Sequence, residues 1–273
     1  MDNHIFTFSA IILYFACSTL LFFQLKRPVV DPAINTGFLS RKQIIAFGLA
    51  ALFLHCLALY NIMISPLGVN LSFYNAISLV SAFIALFALV ATWRHPVDIL
   101  AVVFLPIAAI SMLFDSFSNA SHLLDPGSSN ALIFHILTSI IAYSILALAA
   151  LQAILLSIQN KFLHKHQPGG VIKLMPPLRY MEVLLFEMIF VGFAALTISL
   201  GSGLLFLENM FEQQLAHKTV LSIIAWFVFL ILLLGHWKLG WRGRTAIRWT
   251  LSGFVSLMLA YFGSKFVLEI ILT

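Results

Sequence analysis

Eight apolar runs recur along the chain, at 5–23, 44–64, 73–92, 97–114, 131–157, 183–207, 219–237 and 249–272. A stretch of about 20 apolar residues spans a hydrocarbon core about 30 Å thick. In lipid every backbone N–H and C=O must find its partner within the protein, so only helices and closed barrels cross, and a barrel strand needs only about 10 residues. The chain is therefore expected to be an all-α polytopic membrane protein with eight transmembrane helices in one integral domain over residues 1–273. Its composition agrees: 62% of residues are hydrophobic and 9% charged, and the mean hydropathy is +1.04. A soluble domain of this size could not hide so much apolar surface.

The net charge of +5 would suit nucleic acid, but the placement of the charges points to lipid. Thirteen of the 15 Lys and Arg residues lie in the odd-numbered loops. They are Lys26, Arg27, Arg41 and Lys42 in the first, Arg94 in the third, Lys161, Lys165, Lys173 and Arg179 in the fifth, and Lys238, Arg242, Arg244 and Arg248 in the seventh. The even loops hold Lys218 alone, and Lys265 falls in the last span. By the positive-inside rule the odd loops are expected to be cytoplasmic and both termini to face outward, which is periplasmic for a bacterial inner-membrane protein. No nucleic-acid partner is expected. The joint "GHWKLGWRGRTAIRW", 235–249, follows the same logic: its arginines meet anionic headgroups, and Trp237, Trp241 and Trp249 occupy the interfacial belt. The N-terminus "MDNHIFTFSA" has no basic region, so the first apolar run is expected to remain as a helix.

The chemistry this chain can perform is limited by what it lacks. Cys17 and Cys56 lie within apolar runs and form no C-x-x-C pair, which excludes a thioredoxin-like site and covalent c-type haem attachment. There is no HExxH, no P-loop and no dinucleotide-binding glycine pattern. A non-enzymatic role is expected. Pro106 should kink the fourth span. Gly201 and Gly203 should allow a bend or a close helix approach. Glu187 can snorkel, Lys265 and Glu269 read as a local ion pair, and Glu208 and Glu212 read as a wetted loop.

Histidine is the informative residue type, with nine in the chain. His95, His164 and His166 fall in basic loops and His4 and His122 near the outer face, all read as solvated or as weak candidates. His55 lies mid-span, His135 opens the fifth span, His217 precedes the seventh, and His236 ends the seventh. An ionisable group inside a span usually faces a partner, a cavity or a cofactor, and neutral imidazole is the common axial ligand of haem iron. His135 and His217 share the outer level and belong to helices running in the same direction, which suits bis-imidazole ligation. His55 and His236 form a possible inner pair, at depths differing by about 10–15 Å along straight helices. Each can equally be an interhelical hydrogen-bonding residue.

Two stretches carry a resemblance. "HKTVLSIIAWFVFLILLLGHWKLGWRGRTAIRWTLSGFVSLMLAYFGSKFVLE", 217–269, and "HILTSIIAYSILALAALQAILL", 135–156, are similar to the cytochrome c assembly protein superfamily, in particular to its YpjD/HemX-like branch of inner-membrane proteins. In that superfamily an outer-face His opens a helix and a Tyr follows about two turns later, as His135 and Tyr143 do here. A "GWRGR" loop follows a helix whose inner end carries a His, matching His236. The resemblance implies a multi-helix protein that handles haem, with haem b as its cofactor and other cytochrome assembly or membrane proteins as partners. In haem-delivering members a Trp-rich outer segment flanked by histidines presents the haem. Here the equivalent stretch, "GLLFLENMFEQQLAHKT" at 203–219, has no Trp, and no second flanking His follows the last span. His217 is expected to supply that ligand. The alternative is a transporter, or an accessory to ion transport, that keeps the fold without haem.

Overall fold

The computed structural model describes residues 2–26, 39–65, 68–118, 123–124, 130–164, 175–206 and 216–263. Among these residues the chain forms α1 (Asp2–Leu25), α2 (Arg41–Met63), α3 (Phe73–Arg94), α4 (Asp98–Phe117), α5 (Asn130–His164), α6 (Leu178–Phe206), α7 (Ala216–Leu239) and α8 (Gly243–Met258), the last continued by a π-helical turn at Leu259–Gly263. Within the described residues the first seven expected spans fall on α1 to α7, and of the eighth only 249–263 is described, on α8 and its π turn. Seven of the helices, α1 to α7, are long and apolar enough to cross a membrane. The eighth has 16 residues before the π turn, and the chain past Gly263, with Lys265 and Glu269, lies outside the described residues. So do Glu208, Glu212, His122 and His166.

The chain divides into two compact units, Met1–Pro126 with Gly169–Pro176, and Gly127–Pro168 with Pro177–Thr273. In the first, α1 packs on α2 and α4, and α3 packs on the same two, so the four helices close a ring. In the second, α5 packs on α6 and α8, and α7 packs on the same two. The same wiring therefore occurs twice, although no internal repeat is legible in the residues.

The first unit begins with a helix-start signal: Ser40 accepts from the Gln43 backbone N–H while the Gln43 side chain accepts from Ser40 N–H at 2.8 Å, a reciprocal capping box. Beside it Arg41 is more than an orientation charge. Its guanidinium donates to Asp98 Oδ1 at 2.9 Å, to the His95 carbonyl at 2.8 Å and to the Thr92 carbonyl. One cation thus serves the carbonyl end of α3 and the acidic start of α4, the two places where helix dipoles favour those charges. At the other end of the unit a three-stranded antiparallel ribbon joins two connections: β1 (Ile64–Ser65), β2 (Gly68–Asn70) and β3 (Leu123–Leu124). Ile64 faces Val69, and Asn70 faces Leu123. The all-α expectation did not include it.

Pro106 lies inside α4, which runs through it. Proline has no N–H to offer the carbonyl four residues earlier, here that of Val102. That carbonyl instead accepts from Ser18 Oγ on α1, at 2.8 Å. Water cannot do this in a hydrocarbon core, so the neighbouring helix does.

In the second unit polar side chains tie each neighbour to the next. Gln152 Nε2 donates to the Met181 carbonyl at 2.9 Å between α5 and α6, Trp226 Nε1 to Thr197 Oγ1 at 2.9 Å between α7 and α6, and Ser256 Oγ to the Leu221 carbonyl at 2.9 Å between α8 and α7. The α7–α8 joint is tightly folded. Gly240 and Gly243 have φ of 68° and 54°, a region that strains other residues. The chain turns back so that Trp241 N–H donates to the Gly235 carbonyl at 3.1 Å, and its indole covers Gly235 where any Cβ would collide with the ring. Glu182 Oε1 accepts from Gly243 N–H at 2.6 Å, and Trp241 and Trp249 lie with ring centroids 5.4 Å apart. Two of the indoles gathered at 235–249, Trp241 and Trp249, therefore help build a specific turn.

Candidate functional site

In the second unit His135 lies in the second turn of α5. Its Nδ1–H donates to the Ser199 carbonyl at 2.9 Å, and Ser202 Oγ stands 3.2 Å from the same nitrogen. The serines are themselves held: Ser139 Oγ is 2.7 Å from the His135 carbonyl and 2.6 Å from Ser199 Oγ, and Ser202 Oγ donates to the Ser199 carbonyl at 2.8 Å. A backbone carbonyl can only accept, so the proton resides on Nδ1 and the Nε2 lone pair is left for another partner. No hydrogen bond engages Nε2 among the described residues. This is how metal-bound imidazoles are usually oriented, by a carbonyl or carboxylate behind the ring.

Tyr143 follows two turns along α5, its ring 5.4 Å from Phe254 and 5.6 Å from Tyr261. Tyr261 belongs to the π turn, a rare geometry frequent at functional sites. His217 lies in the first turn of α7, at the same end of the unit as the start of α5; its side chain is outside the described residues. α5 and α7 are diagonal partners in the ring, separated by α6 on one side and α8 on the other.

The remaining two candidates are placed differently. His236 ends α7, about 28 Å from His217 at 1.5 Å per residue. Its Nδ1–H donates to the Trp241 carbonyl at 2.9 Å, and its ring stacks on Phe186 with centroids 3.6 Å apart. His55 belongs to the first unit and is 0% exposed. Both of its nitrogens are engaged, Nδ1 with Tyr14 OH at 3.2 Å and Nε2 with Ser78 Oγ at 3.0 Å. His55 and His236 thus lie in different units. Among the histidines read as solvated, His4 and His164 are exposed and His95 is half-buried. Glu187 is exposed on α6, and Gly201 faces open space with no neighbour to approach.

No cluster of three or more His, Cys, Asp or Glu side chains that could hold a bare metal ion occurs among the described residues. A groove of about 440 Å³ in the second unit lies at the far end of α5 from His135 and is lined by Asn160, Lys161, His164, Arg244 and Arg248, so it is separate from the His135 site. The serines at 139, 199 and 202 were not legible as a site, because a lone Ser in an apolar run reads as a small packing residue. The only local signals were Ser139 four residues after His135 and the i, i+3 pair Ser199 and Ser202 on another helix.

Residues 44–272 match the family model described as cytochrome c assembly protein. The chain belongs to the cytochrome c assembly protein family. The inner membrane protein YpjD of Escherichia coli K12 is 32% identical over 267 residues, covering 94% of this chain and 98% of that protein. The cytochrome c biogenesis protein CcsA of Chlamydomonas reinhardtii is 28% identical over 174 residues, 60% of this chain and 48% of that protein. An uncharacterised 28.8 kDa protein of Azospirillum brasilense is 33% identical over 140 residues, half of this chain. No solved structure matches. With seven membrane-length helices among its described residues, this family member is a multi-pass inner-membrane protein.

Proposed function

We propose that the chain handles haem at the end of the second unit where α5 begins, as an assembly or delivery factor without turnover chemistry. The observation that carries this is the imidazole of His135, held by the Ser199 carbonyl with Nε2 left open. Bound there, haem b would supply an iron that takes imidazole ligands, and His135, with His217 at the same end of the diagonal helix, would hold it. The Ser139–Ser199–Ser202 group fixes the ring plane of His135, and Tyr143 with Tyr261 forms an aromatic wall one to two turns deeper. By the positive-inside rule this end faces the periplasm, where apocytochromes or other assembly proteins can be met. His236 anchors the α7–α8 turn, and His55 serves the first unit.

The deciding experiment is a reduced-minus-oxidised visible spectrum of the detergent-purified protein, with His135→Ala and His217→Ala beside the wild type. A haem spectrum in the wild type, lost or shifted in both variants, is expected. A wild type that stays colourless after haem is supplied overturns the reading. The Trp-free stretch at 203–219 then favours the transporter or transport-accessory reading, tested by solute movement in vesicles.

A further inference from the structure

The first unit contains a buried chain of polar groups that the haem reading does not use. One side chain comes from each helix of the ring: Tyr14 from α1, His55 from α2, Ser78 from α3 and Asp115 from α4. Tyr14 OH meets His55 Nδ1 at 3.2 Å and His55 Nε2 meets Ser78 Oγ at 3.0 Å, while Asp115 and Ser78 line the same small cavity. Asp115 is 6% exposed. A cavity of about 10 Å³, the room of one water, lies among Thr7, His55, Ile62, Ser78, Met112 and Asp115. Thr7, Ile62 and Asp115 are close to the helix ends that carry the ribbon. Tyr14 is two turns further in along α1.

We propose that this chain is a proton-binding site, with Asp115 and His55 sharing a proton through Ser78 and one water. Helix adhesion does not account for it. Ser81 and Ser111, one turn away on the same two helices, already join α3 to α4 with hydroxyls alone, Oγ to Oγ at 2.5 Å. A carboxyl in an apolar bundle costs far more than a hydroxyl unless it is neutral or paired. No Lys or Arg lines the cavity. From the surrounding helices the titratable groups are His55 on α2, Asp115 on α4 and Tyr14 on α1. The Cys17 thiol, bonded to the Ile44 carbonyl at 3.2 Å, and Cys56 lie beside Tyr14. A proton arriving from water at the ribbon end converts the Asp115 carboxylate to the acid. Ser78 can accept that proton while giving its own to His55 Nε2, so the one proton is held either by Asp115 as the neutral acid or by His55 as the cation, and the acid form is the one a carboxyl C=O band reports. The pair gains one proton, and no other reactant is needed.

The test is pH-difference infrared spectroscopy on the full chain in liposomes, following the C=O stretch of a protonated carboxyl. The wild type should show a band that grows as pH falls, and Asp115→Asn, which keeps a hydrogen-bonding side chain, should lose it. His55→Gln should move the midpoint of that band by about one pH unit or more, as expected for coupled sites. A titrating band unchanged in Asp115→Asn, or a midpoint unmoved in His55→Gln, overturns the proposal. If Asp115→Asn does not fold, Ser78→Ala keeps both titrating groups and cuts the link; its midpoint should also move, and a fixed midpoint again overturns it. A colourless protein would leave this result untouched, since the two sites belong to different units.

Discussion

A proline in the middle of α4 withdraws a hydrogen-bond donor, and Ser18 on α1 supplies the replacement. The two residues are 88 positions apart and neither announces the other. Their coupling is measurable. Ser18→Ala alone should cost about 1 kcal/mol, the scale of interhelical hydrogen bonds in membranes, read as a lower midpoint in denaturant titration. In a Pro106→Ala background the residue at 106 again carries an N–H, so the same Ser18→Ala change should cost much less. Equal costs in both backgrounds would mean that the Ser18 hydroxyl does not serve that carbonyl. At the proposed haem site, Ser202→Ala should retain whatever haem spectrum the wild type shows, because the Ser199 carbonyl still holds His135 Nδ1.

The elements were largely readable because runs of apolar residues of membrane length leave the backbone no other solution. Their ends were less so. α5 continues seven residues past the expected 157, through Ile158 to His164. Gln159 and Lys161 are good helix formers in water, so the end of hydrophobicity was not the end of the helix. α8 begins at Gly243, six residues before the expected 249, because Glu182 and the two positive-φ glycines fix the turn there. The ribbon strands, two or three residues each, are too short to show any alternation. Of the candidate site, His135 was legible from its place at a span start, but its serine partners and the four-helix company of His55 depend on tertiary packing. The turn itself offers a prediction: Gly235→Ala drives a methyl into the Trp241 ring. Intrinsic tryptophan emission should change and the thermal midpoint fall, while Gly201→Ala, which meets nothing, should leave both as they are.

For the molecule as a whole, the layout of charge makes a directional claim. Alkaline phosphatase fused within 127–129 should be active, as a periplasmic reporter, and the same fusion within 167–170 inactive. The opposite pattern would invert the orientation and move the His135 site to the cytoplasmic side. Arg41→Ala removes one of these charges and also the clamp on α3 and α4, so it should destabilise the first unit more than Lys42→Ala, whose side chain is exposed. Ring closure has a further consequence for how the chain is made. Helices leave the ribosome in order, and domains fold as their last part arrives. The first ring is sealed by α1 against α4, so α1 must be kept near the insertion site while α2 and α3 pass. Its four helices are all present with more than half of the chain still to be translated. The Val102 carbonyl then meets a hydroxyl that has been waiting in the membrane since the first helix entered, and the order of synthesis itself spares α4 a period with an unmet acceptor in lipid.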